Sequence, residues 1–206
     1  MLLTIKKIFE RDKSSQIIID NLSWGVLSDR TLLSLYPVPF EGEISPAAAD
    51  ELIALIEKQS REQLLKYLAD SEHSSYQCRE YLSRKHVHNS IIKRIVSDYL
   101  QRKYIDDSRF VRILITSLIE RGKSKMHIVS KLREHKLPSE LWEPVLSELY
   151  NPADSMEHLK EMVLKLRLQH SGLPENKVKE KVFASLMRKG FELDYIHIAW
   201  RDTSGK

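Results

Sequence analysis

A second cysteine is missing from this 206-residue chain. With Cys78 alone, an intramolecular disulfide is ruled out and a reducing compartment is indicated. Long apolar runs are missing too. No stretch approaches the roughly 20 residues that a membrane helix needs, and the apolar patch at residues 1–5 meets Lys6 and Lys7 too soon for a secretory core. The expectation is a soluble, cytoplasmic protein with no membrane partner. Glycine is scarce, six residues in all, and no Gly-rich phosphate loop or Ser/His/Asp set stands in the sequence. No catalytic residue, cofactor or metal is expected. A chain of this length forms one or two domains and buries roughly 70% of its unfolded surface, so it folds without disulfide or metal.

What is present is charge, unevenly spread. The first sixty residues hold six Lys and Arg against nine Asp and Glu, whereas the remainder holds 27 against 20. A basic body behind a mildly acidic start permits contact with nucleic acid without demanding it.

The first forty residues read as β structure. Gln16-Ile17-Ile18-Ile19-Asp20 is a β-branched run, Leu22, Trp24 and Val26 alternate as an apolar side, and residues 4–9 form a third strand across the polar turn at 11–15. Ser28-Asp29 caps a short helix running to about Leu35, and Pro37, Pro39 and Gly42 mark a boundary. From Ser45, an N-cap with Pro46 at the first helical position, the pattern is helical. No Gly stands between Gly42 and Gly122 and no Pro between Pro46 and Pro138, so helices there must end by capping and polar turns.

The helical part repeats itself. Leu82-Ser83-Arg84-Lys85-His86-Val87, Leu132-Arg133-Glu134-His135-Lys136-Leu137 and Leu186-Met187-Arg188-Lys189-Gly190-Phe191 each join two apolar anchors by a short polar or basic turn. The flanks keep register: Cys78, Ile128 and Val182 upstream, then Ile91, Leu141 and Tyr195, then Ile95, Val145 and Ala199, then Val96, Leu146 and Trp200 downstream. The preceding helices align at Leu64, Leu114 and Leu164 and at Leu68, Leu118 and Leu168. The fold expected is mainly α, with tandem three-helix repeats forming an elongated curved array behind a small β-rich N-terminal segment. The segments expected are 1–44 (β-hairpin and short helix), 45–107 (lead helix and first repeat), 108–152 (second repeat) and 153–206 (third repeat). Such an array suits a long partner, a filament or a nucleic acid, better than a small molecule.

Tyr104-Ile105-Asp106-Asp107-Ser108-Arg109-Phe110, between the first and second copies, resembles the aromatic/apolar–Asp-Asp-x-Arg-Phe segment of the RecX family. Its context is similar as well: residues 69–82, the loop Glu120-Arg121-Gly122-Lys123-Ser124, residues 186–191 and the β-rich start, so that the likeness spans about residues 3–200. Two departures stand out. Lys103 occupies a place where the family usually has Gly, and Asp70-Ser71-Glu72-His73-Ser74 is more acidic than the family's first-copy turn. The resemblance implies a monomeric, non-enzymatic modulator of the RecA recombinase, usually a negative one. Such proteins dock in the groove of the RecA–DNA filament and dampen ATP hydrolysis and strand exchange in recombination and DNA repair. A nucleic-acid-binding helical module acting without RecA, on single- or double-stranded DNA, is the alternative, and a scaffold for another protein is a third class.

Asp106 and Asp107 resemble a carboxylate pair, but before Ser108-Arg109-Phe110 they suit the start of a helix, where Asp caps free N–H groups and favours the dipole. Tyr104, Asp106, Asp107, Arg109 and Phe110 are therefore read as a structural joint. Cys78, His86 and His88 do not make a metal site, because Cys78 aligns with core positions. Trp24 and Trp200 read as core, and Trp142 as core with partial exposure. The residues assigned to RecA or DNA contact are Arg84, Lys85, Lys93, Arg94, Arg121, Lys123, Lys125, Lys131, Arg133, Arg188 and Lys189, which recur near helix ends and turns. The competing explanation for these cations is complementarity with helix C-terminal dipoles.

Overall fold

The computed structural model describes residues 1–8 and 13–204. The chain divides into two compact units, Met1–Asp107 and Ser108–Lys206.

The first unit opens with strands β1 (Leu2–Lys7), β2 (Ser14–Ile19) and β3 (Leu22–Ser28), the short helix α1 (Asp29–Leu32) and strand β4 (Phe40–Glu43). They form an antiparallel sheet in the order β3-β2-β1-β4. A two-residue turn, Asp20-Asn21, joins β2 to β3 with φ of 48° and 65°, the left-handed pair that a tight hairpin requires and that Asp and Asn tolerate. Asp20 also accepts the N–H of Leu2, at 2.7 Å. Phe9, Arg11 and Asp12, at the expected end of the first strand and in its turn, lie outside the described residues.

Two strand expectations are corrected. β4 falls in a stretch read as a boundary; it is four residues long and pairs only along the outer edge of β1. On β3 the buried residues are Gly25 and Leu27, while Leu22 is exposed and Trp24 and Val26 are half-buried. For Val26 the cause is an irregularity in register: Ile17 faces Gly25 but Ile18 faces Ser23, leaving Trp24 as the extra residue of a bulge, whereas Leu22 pairs with the buried Ile19 and is exposed at the start of an edge strand. Glycine at position 25 has a steric reason. A Cβ there would lie 2.5 Å from Cγ2 of Ile56, so the helix carrying Ile56 lies almost directly on the strand.

That helix is α2 (Pro46–Asp70), with Ser45 accepting from Ala48 N–H at its start and Pro46 in its first turn. Leu52, Ile56 and Leu64 of α2 share one core with Leu3, Ile5, Ile17, Ile19 and Leu27 of the sheet. Helices α3 (Ser75–Arg84) and α4 (Asn89–Gln101) complete the core with Cys78, Leu82, Ile91 and Ile95. Ser74 and Gln77 form a capping box at α3, and the imidazole of His88 caps α4. Tyr67 of α2 is stacked between the rings of His73 and Tyr81 at 3.7 and 4.2 Å. Across α2 and α4, Glu57, Arg61, Arg94, Asp98 and Arg102 form a chain of ion pairs, with Arg61 to Asp98 at 2.5 Å and Arg102 to Asp98 at 2.7 Å.

The second unit contains α5 (Asp107–Glu120, whose first residue closes the first unit), α6 (Lys125–Glu134), α7 (Ser139–Leu149), α8 (Pro152–Gln169), α9 (Glu175–Arg188) and α10 (Leu193–Asp202). One core gathers Phe110, Val111, Ile115, Ile128, Leu132 and Trp142 from α5, α6 and α7. Another gathers Leu159, Val163, Val182, Leu186, Ile196 and Trp200 from α8, α9 and α10. Trp142, expected to be partly exposed, is buried, and its indole N–H has no hydrogen-bond partner among the described residues. The guanidinium of Arg167 lies 3.6 Å from the Trp200 ring centre and donates to the carbonyl of Thr203, closing the end of α10.

The chain is thus mainly helical, with a small N-terminal antiparallel sheet. Burial recurs at Cys78, Ile128 and Val182, at Leu82, Leu132 and Leu186, at Val87, Leu137 and Phe191, and at Val96, Leu146 and Trp200. Other aligned positions diverge. Tyr195 is 46% exposed and Leu141 and Val145 are only half-buried; Trp142 and Ile196 are buried in place of Leu141 and Tyr195, while in the first copy Ile91 and Ile92 are both buried. In α8, Leu164 is exposed and Leu168 is 76% exposed, while Leu159 and Val163 face the core. The lead helix of the third segment is therefore rotated relative to the register expected from Leu114 and Leu118.

Candidate functional site

Five of the candidate cations, Arg84, Lys85, Arg133, Arg188 and Lys189, come from turns built alike. After α3, α6 and α9 the chain passes through left-handed backbone at His86 (φ 61°), Lys136 (φ 50°) and Gly190 (φ 80°). In the first and third of these turns the next residue returns its N–H to the helix: Val87 to the carbonyl of Leu82, and Phe191 to that of Leu186, each at 3.2 Å. This closes the helix with an apolar residue tucked under the turn. It places Arg84-Lys85, Arg133 and Arg188-Lys189 at helix C-terminal ends, where the dipole favours cations.

In the first unit Arg84, Lys85, Lys93 and Arg94 are all exposed. They are not equivalent. Arg94 is engaged by Glu57, whereas Arg84, Lys85 and Lys93 make no ion pair among the described residues. Lys85 carries its ammonium 5.7 Å from the Tyr81 ring centre. Burial pushes the Glu57 carboxyl up, but hydrogen bonds from Arg61 and Arg94 outweigh it and hold Glu57 below its ordinary value of 4.5. Arg94 is therefore tied into the α2–α4 network.

In the second unit Lys131 is paired with Glu134 at 2.8 Å. Arg121, Lys123, Lys125, Arg133, Arg188 and Lys189 make no ion pair among the described residues. The structure brings two of their turns together. Ser124, nearly fully buried, caps α6 by accepting from His127 N–H and donates its own hydroxyl to the Lys189 carbonyl at 2.8 Å. Gly190 closes the approach: besides its positive φ, a Cβ there would stand 2.9 Å from the Ser124 hydroxyl oxygen. Lys123 and Lys125, on either side of Ser124, thus border the turn carrying Arg188 and Lys189. In the sequence these residues group by type alone, and the only signal of this contact is Gly190 between two elements. Nor does any local pattern signal the bidentate pair of Arg112 with Glu148, at 3.0 and 2.9 Å, which ties α5 to α7.

The expected joint falls on the boundary of the two units. Ile105 is fully buried in the first core and Phe110 is buried in the second, while Tyr104 is exposed and meets the Tyr99 ring edge-on at 5.3 Å. Asp106 lies 3.6 Å from the Lys103 ammonium. Asp107 was expected to cap its own helix. Its carboxylate instead accepts the N–H of Ser75, the first residue of α3, at 2.7 Å, and so serves the N-terminus of a different helix. Arg109 is exposed and has an interaction of its own. Cys78 is fully buried, and burial pushes its thiol up to about 12. No group of three or more potential metal ligands occurs among the described residues, and none of their helices is long and apolar enough to cross a membrane.

No family model matches the chain. It is similar to the regulatory protein RecX of Streptococcus mutans, at 23% identity over 202 residues, covering 97% of this chain and 77% of that protein. It is also similar to the regulatory protein RecX of Staphylococcus aureus strain Newman, at 26% identity over 134 residues, covering 65% of this chain and 48% of that longer protein. Among solved structures, a crystal structure of a regulatory protein RecX matches with a TM-score of 0.67 at 19% identity, covering 97% of this chain and 99% of its own. The crystal structure of RecX from Lactobacillus salivarius matches with a TM-score of 0.62 at 18% identity, covering 73% and 97%.

Proposed function

We propose that this is a RecX-family protein, as its relatives in sequence and in fold support, and that it regulates the RecA recombinase by binding the RecA–DNA filament and slowing its ATP hydrolysis and strand exchange. The observation that carries the reading is the match along 97% of the chain to a protein named as a regulator. The local chemistry agrees with a binding role. Most of the unpaired cations stand at helix ends or turns whose backbone is held by capping and turn hydrogen bonds, which limits the backbone entropy lost on contact. Arg84, Lys85, Lys93, Arg121, Lys123, Lys125, Arg133, Arg188 and Lys189 are the contact residues proposed. Arg94 and Lys131 are secondary, because each already has a carboxylate partner. In this reading the protein acts in the cytoplasm as a monomer, without a cofactor and without chemistry of its own.

The test is a titration of the protein into RecA hydrolysing ATP on DNA. Sub-stoichiometric protein should slow hydrolysis; no effect at equimolar protein, with RecA from the same organism, overturns the proposal. A second reading, direct DNA binding without RecA, is favoured by the same unpaired cations. It requires an affinity whose logarithm falls linearly with log salt, by about 0.9 per phosphate contacted on duplex DNA. Salt-insensitive binding to DNA alone, or none, removes it.

A further inference from the structure

Beside the contact of Ser124 with Lys189 lies a cavity of about 450 Å³, inside the range in which proteins hold ligand side chains. Its floor is apolar, made by Leu146, Leu159 and Phe191. Its walls include Met126, 59% exposed, together with Met156 and the exposed Tyr195. Flexible, polarisable methionines at an open apolar surface suit a variable apolar guest. The mouth is charged on one side. Lys125 lines it, Lys123 precedes the lining residue Ser124, and Arg188 and Lys189 precede the lining residue Gly190. None of these four cations has an ion-pair partner among the described residues. Opposing charge comes from Glu192 on the lining, Asp194 beside it and nearby Asp154, which has only the neutral Asn151 amide as partner, whereas Glu157 is paired with Lys160; four cations thus face three uncompensated carboxylates. The unpaired charge around the mouth is therefore net positive.

We propose that this cavity is a docking site for an acidic segment of a partner protein that inserts one large apolar side chain. The apolar floor takes the anchor, and the Lys125 and Lys189 edge pairs with the carboxylates flanking it. A nucleic-acid strand would satisfy the cations but leave the floor unfilled. The inference deepens the proposed function, since it uses the same basic turns, and it can be tested on the protein alone.

The full chain, labelled with methyl-13C methionine, is titrated with a synthetic peptide, Glu-Asp-Phe-Asp-Glu, blocked at both ends. The five methionines give five signals, assigned by single Met→Leu variants. The Met126 and Met156 signals should move and those of Met1, Met162 and Met187 should stay. Affinity should fall about 10-fold or more when the peptide's Phe becomes Ala, and by a similar factor in the K125E/K189E variant. Met126→Glu, at a position 59% exposed, should abolish the shift of the remaining Met156 signal. Immobile Met126 and Met156 signals at about 1 mM peptide, or equal affinity for the Ala peptide, overturn the inference. So does displacement of the peptide by a thymidine 20-mer that moves the same two methyls, which would assign the cavity to nucleic acid. If RecA responds to the protein while these methyls stay still, the docking site alone falls. If the methyls respond and RecA does not, the function falls and the site stands.

Discussion

Lys103 shows how one backbone angle explains a sequence anomaly. Its φ of 62° is the left-handed conformation that glycine adopts without steric penalty and that costs a residue with a Cβ about 1–2 kcal/mol. The glycine usual at this place in RecX proteins therefore has a physical reason, and Lys103 bears the strain. Lys103→Gly should stabilise the first unit by about 0.5–1 kcal/mol once glycine's larger unfolded-state entropy is subtracted, read as a higher urea midpoint. An unchanged or lower midpoint would contradict the strain. Cys78 makes a second residue-scale prediction. A fully buried thiol pushed up to about 12 is almost entirely protonated at pH 8, so a disulfide reagent should react only as fast as the first unit opens. Immediate reaction in native buffer would place the thiol at the surface.

At the scale of elements, stability rests on caps and ties between helices. Ser124 both caps α6 and holds the Lys189 carbonyl, so Ser124→Ala should destabilise the second unit by about 1–2 kcal/mol, measured by chemical denaturation. A loss confined to a few tenths would mean that neither bond matters. The α2–α4 network gives a pH dependence. Glu57 is held below 4.5 in the fold, so its contribution is fully present above pH 4.5 and is lost as pH falls through its lower folded value. Thermal stability of the first unit should decline below pH 4.5, and Glu57→Gln should flatten that decline; an identical profile in the variant would remove Glu57 from the account.

Much of this was legible in the chain. The caps at Ser28 and Ser45 and the core positions Cys78, Ile128 and Val182 follow from local pattern, because each depends on neighbours within a helical turn or two. The misreadings share a different cause. The bulge at Trp24 puts Val26 off the core face, β4 exists only because β1 offers an edge, and Asp107 serves α3 rather than α5. All three depend on partners distant in sequence. Of the candidate site, the residue types were legible but the meeting of Ser124 with Lys189, and the cavity beside it, were not.

For the whole molecule, a mainly helical chain carries exposed helix-end cations, and the proposed role is regulation of a recombinase. Charge reversal separates the two ideas. Arg121→Glu, Lys123→Glu and Lys125→Glu together alter exposed or half-buried positions without ion-pair partners among the described residues, so the fold should persist while contact weakens. The most direct measurement is the rate of DNA-dependent ATP hydrolysis by RecA from the same organism, with the native protein and this triple variant added in parallel. The account predicts that the native protein slows hydrolysis below equimolar ratio and that the folded variant needs about 10-fold more protein for the same effect. Hydrolysis unchanged by equimolar native protein would contradict it.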